Sequence, residues 1–534
     1  MKRILFLIAL AGVVSLPFWI RPTRPEVTQA QDTLVIVTPH NEAIRHEYAL
    51  GFQTWYKNKT GRSVFVDWRV LGGTSEITRY LKGQYIESFK DIWQHQGHTW
   101  SHSIEATLLS GRVISESDKD LNQAHSGFLN SKATAGVDLY FGGDAYDYDE
   151  MATAGMLVQS SIMKTHSEWF SDAIIPQQYS GEKYYDPKAR WFGSVISCYG
   201  IIYNRDCLKR LGIAEAPKAW VDLADPRYKG QIALCDPTRS GSMTTAFENI
   251  IQQQMQLKVS TRAVNQSEAE AIAEGWVAGL RLIQSIGSNA RYFTGSSQKV
   301  PIDVAAGDCA AGLVIDFYGN QQAEAVQRRA KSDRIGLSIP NGGTAYSVDP
   351  IGLLRGAPHQ SLAELFLEYS LSKEGQALWG LKTGAVNGPS DYALRRMPIR
   401  KDFYSDQSLM SVRSDPFINP FSDASVLIYH PERTSDLFKE IAFVVRVMCE
   451  DTHDQLVQAV EAALKAPEPA RSRALHEIRN LDAVSYLQVK NAISKRLESK
   501  NKTEELRLAS ELGAYFRAHY AKALEISSAD NNSS

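Results

Sequence analysis

Four short stretches carry residue types that could hold or transform a small molecule. Thr38, His40 and Asn41 stand between a β-branched run at 33–38 and an amphipathic segment that begins near 42. An imidazole placed there can ligate a metal or cap the helix. Gly142, Gly143 and Asp144 follow an apolar run at 137–141. Thr238, Arg239, Ser240, Gly241 and Ser242 open a helical pattern after the run 231–235. Free N–H groups at a helix start, three hydroxyls and a guanidinium make a cradle for an anion. The plainer use of Ser240 or Ser242 is as an N-cap. Asp316 and Tyr318 flank Phe317 just after the run 311–315.

Two other groups invite a chemical reading and lose it. Asp147, Asp149 and Glu150 could suggest acid–base work, but acids in the first turn of a helix are what the dipole favours. His95, His98 and His102 recur at i, i+3 and i+7, one face if the segment is helical. The Ser-rich, polar stretch around them, 92–135, reads as a solvated insertion. The chain has no GxSxG, no HExxH and no P-loop, so an enzyme is not expected.

The elements that must position these residues alternate. Strand patterns at 33–38, 63–70 and 137–141 are separated by helical ones, the second helix opening at Gly72-Gly73-Thr74-Ser75. Further strand patterns fall at 194–203, 231–235, 311–315, 335–339 and 345–354. Helical patterns fill 243–257, 267–286, 361–371 and 373–381. Such alternation predicts α/β layers with a mostly parallel sheet. Beyond about 400 the texture becomes helical, at 433–465 and 469–525, with a break at Pro467-Glu468-Pro469.

Composition removes several classes. The chain has 534 residues, 43% hydrophobic and 22% charged, with 58 Lys+Arg against 60 Asp+Glu. That is globular composition, and the charge balance does not argue for a nucleic-acid partner. A mean hydropathy of −0.28 excludes a polytopic membrane protein. Lys2 and Arg3 precede an apolar run of 17 residues, 4–20, interrupted only by Gly12, Ser15 and Pro17. It reads as a secretory leader, with Thr28-Gln29-Ala30 before a cleavage point, or as an uncleaved anchor. Either way the rest is exported, to the periplasm or outside the cell. Residues 1–30 carry a net +3, which leaves −5 on the remainder of a chain whose total is −2. The five cysteines, Cys198, Cys207, Cys235, Cys309 and Cys449, leave at least one thiol unpaired and room for one or two bridges between 198 and 309.

Five segments then assemble into a resemblance. They are the strand–Pro39-His40-Asn41–helix start; 138–157, DLYFGGDAYDYDEMATAGML; 216–242, with its core W-x-D-L-x-D-P-x-x-K-G-x-I from Trp220 to Ile232; 307–320, GDCAAGLVIDFYGN; and 345–354, AYSVDPIGLL. In this order and spacing the chain resembles the periplasmic solute-binding proteins of ABC transporters over roughly 33–400. The branch it is most similar to is the iron(III)-type family 1 extracellular solute-binding proteins.

The resemblance implies a two-lobed fold of the periplasmic-binding-protein-like II type. Two α/β lobes are joined by crossing strands near 194–203 and 340–350. Lobe 1 would be 33–195 plus 345–400, and lobe 2 would be 200–340. A signal peptide or anchor would occupy 1–30. A helical C-terminal extension, 401–534, exceeds the usual length of the family, and its last part, 469–525, reads as a solvated helical hairpin. His40 matches a histidine that ligates metal in iron-binding relatives. Where those relatives carry a metal carboxylate this chain has Gly143, with Asp144 next to it. Where they carry adjacent tyrosines it has Phe317 and Tyr318, so the implied metal ligands reduce to His40 and Tyr318. The solute would be ferric iron or an iron chelate, or an anionic organic or phosphorylated molecule held by the 238–242 loop. Its capture would close the lobes and present the closed form to a membrane permease driven by an ATPase. The competing reading is a membrane-anchored ligand sensor or interaction protein on the same fold, tethered by residues 4–20.

Overall fold

A computed structural model describes residues 30–110, 118–422, 426–498 and 501–529. The apolar run at 4–20, with its leader or anchor reading, and the tail from 530 lie outside the described residues. Among the described residues, no helix is long and apolar enough to cross a membrane.

Thirteen strands are described. They are β1 (Asp32–Val37), β2 (Val64–Arg69), β3 (Leu139–Phe141), β4 (Gln178–Tyr179), β5 (Glu182–Lys183), β6 (Phe192–Ser197), β7 (Tyr199–Asn204), β8 (Ile232–Cys235), β9 (Ala290–Thr294), β10 (Ala311–Ile315), β11 (Ile335–Ser338), β12 (Ser347–Leu353) and β13 (Met397–Pro398). One sheet runs β13-β6-β12-β3-β1-β2 and a second runs β11-β7-β10-β8-β9, with β4 and β5 as a separate hairpin. Within the first sheet β2, β1 and β3 are parallel. Within the second β10, β8 and β9 are parallel. The central strands β6, β7, β8 and β10 are buried along their whole length, as strands covered on both faces must be.

The molecule is therefore two-lobed, α/β in each lobe. The apolar run at 194–203 is not one strand but two, broken at Cys198. β6 lies in the first sheet and β7 in the second. The return passage runs from β11 to β12 and pairs antiparallel with the outward one on both sides, β11 with β7 and β12 with β6. Two polar ties pin this double crossing. The Trp220 indole N–H donates to the Gly343 carbonyl at 2.7 Å, and the Tyr199 N–H donates to the Thr344 hydroxyl at 2.9 Å.

Three expectations need correction. β9 was not anticipated, because ARYFT follows a long helix without a break. The stretch 92–135 is no solvated insertion. It completes the helix Thr74–His95 and adds His102–Ser110 and Lys119–Asn130, burying Trp93, Ile104, Leu108 and Phe128. The chain turns at 96–101, so its three histidines share no helix face, and His98 stacks on Trp93 with ring centroids 4.0 Å apart. Finally, 469–525 is not a free hairpin. Leu512, Phe516, Tyr520 and Ala523 are buried. The Gln284 amide of the lobe 2 helix Glu268–Ser288 donates to both Ile478 O and Tyr520 Oη at 3.0 Å. All five cysteines are free thiols and buried, with no bridge among them.

Candidate functional site

In both sheets the helices that follow parallel strands begin at the face where the lobes meet, as expected beyond strand C-termini. Five such starts are relevant: Glu42–Thr60 after β1, Thr74–His95 after β2, Ala145–Thr153 after β3, Gly241–Ser260 after β8 and Asp316–Ala330 after β10. Three of them are capped by residues that the sequence singled out. Asn41 Oδ1 accepts from Ile44 N at 3.1 Å, Asp144 Oδ1 from Tyr146 N at 2.9 Å, and Ser240 Oγ from Met243 N at 3.3 Å. Each takes one amide left over at a helix start.

The caps also join the lobes. Asn41 Nδ2 donates to Gln321 Oε1 at 3.1 Å, and Thr245 Oγ1 donates to Asp144 Oδ2 at 2.8 Å. The N–H of Gly241 meets Thr74 Oγ1 at 3.3 Å, and Arg239 pairs with Glu76 at 3.2 Å. A β-carbon on Gly73 would stand 2.6 Å from the Arg239 carbonyl oxygen, so the lobes touch backbone to side here. Thr238 turns inward on its own loop, its N–H and hydroxyl both donating to Asp236. The 238–242 segment thus faces lobe 1 protein atoms.

Deeper in the cleft a charged cluster stands where the histidine and tyrosine positions converge. Asp349 on β12 accepts from Arg396 Nη1 at 2.7 Å and lies 3.3 Å from His40 Nε2. The Arg396 side chain is 0% exposed. Its guanidinium lies 4.0 Å over the ring of Phe317 and 5.1 Å over Trp379, and it also bonds Ser197 Oγ. Arg396 Nη1 is 3.4 Å from His40 Nε2. Burial works against the Asp349 carboxylate, but the Arg396 charge and the bonds from His40 and Arg396 hold its pKa down at about 2. Burial lowers the pKa of His40 and lifts that of Asp316 to about 7, the latter opposed by Arg396. Three buried atoms of this cluster have no hydrogen-bond partner: His40 Nδ1, Arg396 Nε and Asp316 Oδ1.

Glycine is required at the turn after β3. Gly142 has φ +90°, and a β-carbon on it would fall 2.6 Å from the His40 ring. Its N–H donates to the Pro350 carbonyl at 2.7 Å. Gly143, at φ +131°, carries the turn on to Asp144. Thr38, fully buried, accepts the His40 N–H at 3.1 Å. Tyr318 packs against Phe317 with ring centroids 4.2 Å apart, and burial raises its hydroxyl pKa. No hydrogen bond joins it to His40 among the described residues.

Beside the helix starts opens a cavity of about 660 Å³. Lobe 1 lines it with Asp144, Tyr146 and the hairpin residue Glu182, lobe 2 with Thr245 and Glu248. The C-terminal extension supplies Tyr429, Phe438, Lys439 and Glu440. The extension is stitched to both lobes. Tyr429 N donates to Ser180 O at 2.8 Å, and Lys439 Nζ to Glu150 Oε1 at 2.8 Å, on lobe 1. Tyr429 Oη and Thr434 Oγ1 donate to Glu248 Oε1 at 2.8 and 2.6 Å, on lobe 2. Gly181 lets this segment pass, since a β-carbon there would overlap the Tyr429 carbonyl.

Of the residues proposed from sequence, Asp144 lines this cavity, while His40, Asp316 and the 238–242 loop lie in the cleft beside it. Missed were Asp349 and Arg396, and the cavity residues Glu182, Glu248, Tyr429 and Phe438. An aspartate inside the strand pattern 345–354 was a legible anomaly. Arg396 and Glu248, which lie outside any motif and inside a helix respectively, carried no signal.

Two α/β lobes, a double crossing and a cleft at converging helix starts define a two-lobed α/β fold. In the sequence comparison, residues 154–399 match the family model for bacterial extracellular solute-binding proteins. An uncharacterized protein of Haemophilus influenzae is 27% identical over 246 residues, 45% of this chain and 60% of that protein. The phosphoglycerate transport regulatory protein PgtC of Salmonella typhimurium is 25% identical over 189 residues, 34% of this chain and 39% of PgtC. The chain thus spans less than two thirds of either relative. The periplasmic binding protein AfuA of Actinobacillus pleuropneumoniae, solved with exogenous fructose-6-phosphate bound, has a TM-score of 0.48 at 17% identity, covering 80% of this chain and 97% of AfuA.

Proposed function

We propose that this chain is the solute-binding component of an ABC importer. It captures a small solute between its lobes outside the cytoplasmic membrane and hands it to a membrane permease coupled to an ATPase. The observation that carries the reading is the cavity built from both lobes at a two-stranded crossing. A ligand touching Asp144 or Glu182 on one side and Glu248 on the other binds the closed form better than the open form. That difference in affinity is what closure requires. The relative PgtC, whose name refers to phosphoglycerate transport, supports a transport role.

The solute is an organic molecule rather than bare ferric iron. The metal position implied by His40 is filled from within: Asp349 bonds Nε2, and a buried guanidinium stands 3.4 Å from the same nitrogen. A trivalent cation placed there would sit against Arg396. The test is native mass spectrometry with elemental analysis on protein isolated from its own periplasm, paired with uptake by a deletion strain. A co-purified organic mass without metal, whose uptake the deletion abolishes, is the expected result. Stoichiometric iron would overturn the organic solute and restore His40 and Tyr318 as ligands. Turnover of the bound molecule, or uptake unchanged by the deletion, would overturn the receptor reading itself.

A further inference from the structure

The cavity is acidic in a way that its own side chains do not neutralise. Its two lysines are already engaged, Lys183 with Asp149 and Lys439 with Glu150. Among the described residues the Glu182 side chain has no hydrogen bond and no ion pair, and the charges that act on it are Glu248 and Asp144, both of its own sign. Glu248 is 3% exposed. Glu248 lines the cavity, and its Oε1 accepts two hydroxyls, from Tyr429 and Thr434. Burial, together with these like charges, raises the pKa of Glu182, and burial raises that of Glu248. A buried carboxylate in this position either holds a proton or meets a cation.

The wall opposite shows what the cavity accepts. Tyr146 stacks on Phe438 of the extension, ring centroids 5.0 Å apart at 24°. The Lys439 ammonium lies 5.4 Å over the Tyr146 ring while it pairs with Glu150. At this wall, then, an ammonium is already held by an aromatic face and a carboxylate together.

We propose that the cavity between the lobes and the C-terminal extension binds an organic cation carrying two ammonium groups, anchored by Glu182 from lobe 1 and Glu248 from lobe 2 and flanked by the Tyr146–Phe438 wall. The extension is then part of the solute site and not an appendage. A bare metal ion does not suit the same residues. Among the described residues the one group of three ligand atoms close enough for an ion is His46, Glu47 and Asp391, away from this cavity. Glu182, Glu248 and Asp144 all line the cavity, and they do not form such a group. A phosphate ester would meet three carboxylates and no free base.

This assignment rests on the cleft being the solute site, and the test separates the two. Isothermal titration of the full chain uses 1,5-diaminopentane, calcium chloride and 3-phosphoglycerate as probes. The expected result is one site for the diamine, with Kd raised tenfold or more by Glu182→Gln and by Glu248→Gln. Glu182 has no bonds to lose, so E182Q keeps the test sound if E248Q fails to fold. Binding of 3-phosphoglycerate with silence toward the diamine overturns the cation and leaves the receptor reading standing. Calcium binding that displaces the diamine, or diamine binding unchanged in E182Q, also overturns the assignment. Silence toward all three overturns it too, and the receptor reading is then judged by the co-purified mass and the uptake assay.

Discussion

Replacing Asp349 by asparagine removes one charge from the most deeply buried ion pair of the cleft. Arg396 has no solvent to turn to, its side chain being fully buried, and its remaining contacts are Ser197 Oγ, His40 Nε2 at 3.4 Å and two aromatic faces. Breaking a buried pair from one side costs about 3–5 kcal/mol, because the leftover charge stays desolvated. Asparagine still accepts one bond from Arg396, which places the expectation near the lower figure. At about 2–4 °C per kcal/mol for a lobe-sized unit, the loss in Tm is about 6–20 °C. The pH dependence has a definite sign. The Asp349 carboxyl is depressed from 3.8 to about 2 in the folded protein. Its contribution is therefore fully present above pH 3.8 and is lost as pH falls through about 2. Calorimetry on parent and D349N at pH 7, 4 and 2 should show a gap at the first two that narrows at the third. The double variant Asp349→Leu with Arg396→Met should melt above D349N, since it leaves no orphaned charge. A D349N protein that melts within a degree or two of the parent at pH 7 would refute the reasoning.

Gly142→Ala forces a side chain into a left-handed backbone and against the His40 ring. Urea unfolding should register a loss of at least about 1–3 kcal/mol from the backbone alone, and an unchanged midpoint would show that the turn relaxes freely. The five buried thiols should react with a thiol reagent only after unfolding, five per chain, and reducing agent should leave the Tm unchanged. Rapid labelling of the native protein would contradict the burial.

Three bodies rather than two meet at the cleft. Most of the extension packs on lobe 2, through Gln284 and through the Trp276 indole, which donates to Val484 O at 2.8 Å. Its segment 427–440 reaches back over the hairpin β4–β5 to lobe 1, ending in the Lys439–Glu150 pair. Glu150 is also held by Lys82 at 2.7 Å. Any opening of the lobes must break these polar ties as well as the Asp144–Thr245 and Arg239–Glu76 contacts across the cleft.

The sequence by itself determined the alternation of elements, and with it the architecture. Hydrophobic runs such as LVIV and AGLVI can lie only in strands covered on both faces. Caps such as Asn41, Asp144 and Ser240 mark helix starts through purely local hydrogen bonds, which is why they were legible without a fold. The even run at 194–203 was legible as strand, and the resemblance put a crossing between the lobes there, but its division into two strands was not legible, since the break at Cys198 has no local marker. The site was half legible for the same reason. His40, Asp144 and Asp316 sit at strand–helix junctions that periodicity reveals. What fills the cleft, and what charge the cavity carries, depends on Arg396, Asp349, Glu182 and Glu248, which come from four separated stretches. Only the tertiary structure brings Arg396 next to His40, more than 350 residues earlier in the chain, and folds the extension over Glu248. Their meaning is electrostatic, and electrostatic meaning depends on which groups share a buried space.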